Sequence, residues 1–183
     1  MVTILKGFEK QYSKNLLDIH RQKLGLKTSE DKDQKLVDEW MSCLKVAESD
    51  WTMSWRQLSE ISEQDLFEQK IDPESQWALH KIKTKAPKLF NNFLTMYKDR
   101  LEKEGCSDTD RMELMQGTNP RYILRQWMAQ RSIEKAEKDD FSEVRLIQKV
   151  LKAPFKTQPE AESAGYAKPV PDWSKKLVLS CSS

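Results

Sequence analysis

The side chains that most often do chemistry are few in this chain and stand apart from one another. His20 and His80 are the only histidines. They fall in different predicted helices without a partner at the spacing of a metal site or a catalytic triad, so both are expected to be packing or surface residues. The five glycines at 7, 25, 105, 117 and 165 are isolated. Nothing therefore matches the glycine-rich loops whose backbone N–H groups cradle phosphates, and these residues are not expected to hold a nucleotide in the standard way. The acidic pairs Asp139-Asp140 and Glu102-Glu104 stand at predicted helix ends, where carboxylates have ordinary electrostatic roles. No catalytic, cofactor-binding or metal-ligating residue is assigned.

Three further groups carry polar chemistry of another kind. Arg121, Arg125 and Arg131 share one predicted helix and have the planar fork that binds carboxylates bidentately, or that holds neighbouring helices together. The structural role is favoured. Lys81, Lys83, Lys85 and Lys88 could touch a phosphate backbone, but they span a predicted helix break and are matched by acidic clusters elsewhere, so a solvated face is expected rather than a nucleic-acid site. Cys181 lies near the C-terminal end among serines, where it is expected to be exposed and able to reach a partner thiol. A redox cysteine and an unreactive surface cysteine are equally compatible with that placement.

The elements that must position these groups are helical. Of 183 residues, 33% are charged and 38% belong to the hydrophobic set, with only five Gly and seven Pro, a profile that excludes collagen, disulfide knots and membrane proteins. Lys and Arg number 31 against 29 Asp and Glu, a net charge of +2 that demands neither nucleic acid nor an anionic membrane. Cys43, Cys106 and Cys181 are widely separated and form no CxxC pair, so a reducing compartment is expected. No leader peptide is expected from the first nine residues, and no apolar run approaches the ~20 residues that span a bilayer.

Apolar residues at Leu5, Phe8, Tyr12, Leu16 and Ile19 advance by three or four and predict a helix that stops at Leu24-Gly25. Thr28-Ser29 is expected to cap a second helix through Leu36, Trp40, Leu44 and Ala47. Asp50 and Ser62 predict short helices, and Asp72-Pro73 opens another through Trp77 and Ile82. The strongest stripe is Leu89, Phe90, Phe93, Leu94, Tyr97 and Leu101, closed by Gly105. Ser107 caps a helix stopping at Gly117, Asn119-Pro120 opens the next through Ile123, Leu124, Trp127 and Met128, and Asp140 or Ser142 caps a last one that Pro154 ends. Trp40, Trp51, Trp55, Trp77 and Trp127 fall on these apolar faces and are expected in the core. The result is an all-α region of eight or nine helices over 1–153. An extended tail follows over 154–183, holding four of the seven prolines, with Tyr166 and Trp173 as docking anchors.

The run Asn119-Pro120-Arg121-Tyr122-Ile123-Leu124-Arg125, with Trp127-Met128-Ala129-Gln130, Asp140-Phe141-Ser142-Glu143-Val144, Pro154-Phe155, Pro171-Asp172-Trp173 and Ser180-Cys181-Ser182-Ser183, resembles the C-terminal part of selenoprotein O in order and spacing. His20-Arg21-Gln22-Lys23-Leu24-Gly25-Leu26, Glu48-Ser49-Asp50-Trp51-Thr52 and Trp55-Arg56-Gln57-Leu58 resemble it more loosely. The resemblance implies a kinase-like fold and protein adenylyltransfer, in which AMP passes from ATP to Ser, Thr or Tyr hydroxyls of proteins with Mg or another divalent metal. The family's nucleotide-binding, catalytic-loop and metal-binding residues lie upstream of the matched region, so none is carried over. The resemblance also implies an upstream kinase-like region and protein substrates as partners, with no nucleic acid and no membrane. The compartment would be mitochondrial in a eukaryote or cytoplasmic in a bacterium. Cys181 stands where vertebrate members have selenocysteine, which implies a redox role and a disulfide with a cysteine of the upstream region. Some members carry a second cysteine three positions earlier, where this chain has Val178. The competing expectation is a free-standing helical interaction module without catalytic activity. A helical nucleic-acid binder is a third.

Overall fold

The computed structural model describes residues 2–177. Among them are ten α-helices, one 3-10 turn and no strand, which agrees with the all-α expectation. The chain forms two compact units, Met1–Asn119 and Pro120–Ser183.

The first unit contains α1 (Val2–Lys23), α2 (Asp33–Ala47), α3 (Trp51–Leu58), α4 (Glu63–Phe67), α5 (Trp77–Lys85), α6 (Pro87–Glu104) and α7 (Asp108–Thr118). The end of α1 is a Schellman motif, in which Leu26 N–H donates to the Arg21 carbonyl at 2.9 Å and Gly25 N–H to that of Gln22 at 3.1 Å. Gly25 takes φ +76° there. A Cβ at this position would lie 2.6 Å from Arg111 Cγ, so glycine is needed for space as well as for conformation. Side-chain caps open three helices. Asp50 accepts from Met53 N–H at 2.8 Å, while Ser62 and Ser107 accept at 3.1 Å from the N–H of Asp65 and Asp110 respectively. Both serine hydroxyls donate back to the same aspartates. Pro87 begins α6 and Gly105, at φ +66°, ends it.

The core of this unit is aromatic. Fully buried Trp40 packs at 4.7 Å between ring centroids on Phe93 and at 5.6 Å, edge to face, on Trp55. Phe93 stacks on Tyr97, whose hydroxyl donates to the Leu24 carbonyl at 2.7 Å and so ties α6 to the end of α1.

The second unit contains α8 (Gln126–Ala136), α9 (Ser142–Leu151) and α10 (Pro159–Ser163), followed by the 3-10 turn Asp172–Lys176. Asp140 accepts from Ser142 N–H at 2.8 Å and fixes the entry to α9. Within the proline-containing segment α10 is compatible with Pro159 because the proline sits in the first turn, where a missing N–H is harmless. Tyr166 is buried edge-on against Trp127, 5.9 Å between centroids, whereas Trp173 is exposed.

Several boundaries depart from expectation. Thr28 does not cap α2: its N–H and hydroxyl donate to Glu104, and the helix starts at Asp33. Asp72 does not start α5, because it accepts from Ser75 N–H and hydroxyl in a local turn, and the helix begins at Trp77. Gly117 lies inside α7, which continues to Thr118. Asn119-Pro120 opens no helix: Arg121 and Tyr122 donate their N–H groups to the Pro154 carbonyl at 2.8 and 3.1 Å, and α8 begins only at Gln126. Ile123 and Leu124 are exposed as a result. A tertiary hydrogen bond has overridden a local start signal there.

Gly25 and Gly105 give a paired test. Gly105→Ala should destabilise by about 1–2 kcal/mol, the cost of the left-handed conformation for an L side chain, because nothing lies within 4 Å of its Cβ. Gly25→Ala should cost clearly more, since Arg111 must also move. Urea unfolding of the two variants against the unaltered chain measures the difference.

Candidate functional site

Most of the side chains with chemical potential are occupied in holding helices together. His20 is buried and stacks on Trp55 at 5.9 Å, and burial lowers its pKa, favouring the neutral imidazole. His80 is half-buried on α5. Lys81 donates to the Glu48 carbonyl at 2.6 Å and Lys83 to that of Gln69 at 2.8 Å, so half of the basic cluster anchors backbone turns. Cys43 is buried and its thiol is pushed up to about 12 by that burial, assisted by Glu39, which leaves it unreactive. Cys106 is half-buried, and its thiol too is raised by burial. Cys181 lies outside the described residues, as do Val178 and Leu179.

Glu104 accepts from Lys27 N–H at 2.8 Å, Thr28 hydroxyl at 2.6 Å and Arg100 at 2.8 Å, closing the loop before α2 onto the end of α6. Burial opposes its charge, yet the hydrogen bonds from Thr28, Lys27 and Arg100 hold the carboxyl below its ordinary range. Arg100 also pairs at 2.7 Å with fully buried Asp33. Arg111, fully buried, donates to the Leu58 and Ile61 carbonyls at 3.2 and 2.7 Å and pairs with Asp108 at 2.7 Å.

In the second unit Arg121 and Arg131 serve the structural role. Arg121 holds Glu162 through two N–H groups at 2.7 and 3.0 Å, and Tyr122 hydroxyl bonds the same carboxylate. Arg131 lies over the rings of Trp127 and Tyr166, 5.0 and 5.5 Å from their centroids, and pairs with buried Glu143. Tyr166 hydroxyl donates to Glu143 at 2.7 Å and Lys135 adds a third contact at 3.2 Å. Burial again opposes the Glu143 charge and is outweighed by Tyr166, Arg131 and Lys135. Arg125 is half-buried just before α8. Among the described residues no group of three His, Cys, Asp or Glu side chains is arranged to hold a metal ion, and no helix is long and apolar enough to cross a membrane.

The apolar stripe that predicted α1 lies on the surface of the first unit. Phe8, Tyr12, Leu16 and Ile19 are 66%, 57%, 40% and 48% exposed. At 100° per residue they share an arc of about 80°. Leu17 and His20 lie on a different flank and make the contacts with the unit. Lys10, Ser13, Lys14 and Leu17 line a cleft against Ser29 and Gln34. Periodicity identified the helix, and it is the flank bearing Leu17 that meets the unit. Leu5, the first residue of the stripe, is outside the described side chains. Trp51, expected in the core, is half exposed. It meets Trp55 edge-on at 5.9 Å, and Trp55 packs on His20 and under Lys23 at the C-terminal end of α1.

Each of the two helical units is braced internally by arginine–carboxylate pairs, and α1 of the first carries an exposed apolar face. Residues 1–152 match the family model described as protein adenylyltransferase SelO, and the chain belongs to that family. It is 37% identical over 175 residues to the protein nucleotidyltransferase YdiU of Pseudomonas fluorescens, covering 94% of this chain and 33% of that protein. Against the YdiU protein of Vibrio parahaemolyticus it is 37% identical over 191 residues, covering 98% and 35%. Against that of Flavobacterium johnsoniae the figures are 35% over 187 residues, 98% and 35%. The chain thus spans about a third of the length of the curated relatives it matches.

Glu104 and Glu143 make stability fall with acid. In the unfolded chain these carboxyls take up protons near 4.5, whereas the folded state holds them charged to lower pH. Their contribution is complete above 4.5 and is lost as pH falls through the folded values. Neutral His20 adds a loss of the same sign as pH drops below 6.5. Urea midpoints should therefore decrease from pH 7 to pH 4 and further toward pH 3, and Glu104→Gln should flatten the part below 4.5.

Proposed function

We propose that this chain is the C-terminal, all-α part of a SelO-type protein adenylyltransferase, and that the complete enzyme transfers AMP from ATP to Ser, Thr or Tyr hydroxyls of protein substrates. The observation that carries this is the family match over 1–152 in a chain that spans only a third of its relatives' length. ATP and the divalent metal belong to the part of the enzyme outside these residues, because the buried carboxylates here are already engaged. Asp33 is bound to Arg100, Glu104 to Thr28 and Arg100, and Glu143 to Arg131. The chain's own contribution is mechanical: it supports the catalytic region and brings Cys181 to it. Cys181 forms a disulfide with a cysteine of that region, giving up two electrons and two thiol protons per bond to a disulfide oxidant. Buried Cys43, with its raised thiol, is unsuited to be that partner.

The test uses ATP labelled on its α-phosphate. The complete protein should label a protein target or itself, and this chain alone should not. Cys181→Ser should leave transfer intact in reductant while abolishing the mobility shift produced by oxidised glutathione. A complete protein that transfers no label under any metal condition would overturn the assignment.

A further inference from the structure

Resting on that reading of the chain as part of a larger enzyme, we propose that the face of α1 formed by Phe8, Tyr12, Leu16 and Ile19 is the surface on which the catalytic region of the same polypeptide seats, through an apolar groove that receives the helix. Residues 7–16 of α1 are each exposed, and the stripe continues to Ile19 over about 16 Å of helix. A helix projecting this far without tertiary packing has little to hold it, since isolated helices of such length are marginal in water. The two aromatic rings at its outer end, Phe8 and Tyr12, stack on each other at 6.2 Å and are 66% and 57% exposed. The flank bearing Lys10, Ser13, Lys14 and Leu17 already faces the unit's own Ser29 and Gln34, so the stripe is directed elsewhere. Four apolar side chains at i, i+4, i+8 and i+11 are the pattern by which a helix is read in a groove.

Two arguments select the occupant. The family match includes α1, and two thirds of the relatives' length lies outside the matched chain, so a large body of the same polypeptide needs a place to pack. The stripe itself offers roughly 400 Å² given the usual size of such side chains, about half of the ~800 Å² per partner that a stable free-standing interface buries. A second copy of the chain would be held weakly by so small a patch. A region joined through the backbone is held by it well, because tethering supplies the effective concentration.

Amide hydrogen exchange tests this on the complete protein and on the present chain. Amides of residues 7–19 should exchange at least tenfold more slowly in the complete protein, while those of α9 change little. Leu16→Glu in the complete protein should restore fast exchange and protease cleavage within α1. The same substitution in the present chain, at an exposed position, should leave its circular dichroism unchanged. Equal exchange in the two proteins would overturn the proposal. So would protection already present in this chain together with a concentration-dependent dimer that Leu16→Glu dissolves, since the face would then serve self-association. AMP transfer by the complete protein is read separately: protection without transfer refutes the enzymatic assignment alone, and transfer without protection refutes the docking surface alone.

Discussion

A guanidinium from which water is excluded organises the first unit. Arg111 is fully buried and remains charged, because burial penalises that charge less than Tyr97 and Asp108 stabilise it. Its donors close the carbonyls of Leu58 and Ile61, which are left open where α3 ends, and its Cγ occupies the space that a side chain at Gly25 would take. The turn after α1, the end of α3 and the first turn of α7 are therefore fixed by one side chain. Removing an ion from such a place leaves its partners buried and unsatisfied, so the site tolerates arginine and little else.

The same device recurs. Asp33, Arg100 and Glu104 lock the loop before α2 to α6, and in the second unit Glu143 gathers Arg131, Lys135 and Tyr166. Charged residues make up a third of this sequence, and those that are buried act as braces. The protons and lone pairs of these buried groups are committed to neighbours: Asp33 to Arg100, Glu104 to Thr28 and Arg100, and Glu143 to Arg131. Perturbed carboxyls mark the braces, and perturbation arising from structural ion pairs does not by itself identify a catalytic centre.

Features governed by neighbours in sequence were legible beforehand. Asp50, Ser62, Ser107, Gly25 and Gly105 all act at helix ends as their residue types require, and the Phe90, Phe93 and Tyr97 stripe is buried. Features decided by distant partners were not. Thr28 has a capping side chain, but Glu104, far away in sequence, claims it. Asn119-Pro120 reads as a helix start, but the Pro154 carbonyl takes the two N–H groups that follow. The α1 stripe has correct helical spacing, and spacing cannot say whether the surface that covers it belongs to the same folded unit. The roles of Arg121 and Arg131 were anticipated in kind, whereas their partners Glu162 and Glu143 carried no signal in spacing.

If these residues are one part of a larger polypeptide, the size of the protein in its own cells is the most direct measure of it. An antibody raised against residues 120–177 should detect a species about three times the 21.5 kDa of this chain, in proportion to the share of its relatives that the chain spans. A sole species at 21.5 kDa would contradict the account. It would mean that the helical units act without a catalytic region and that the α1 face has a partner encoded elsewhere.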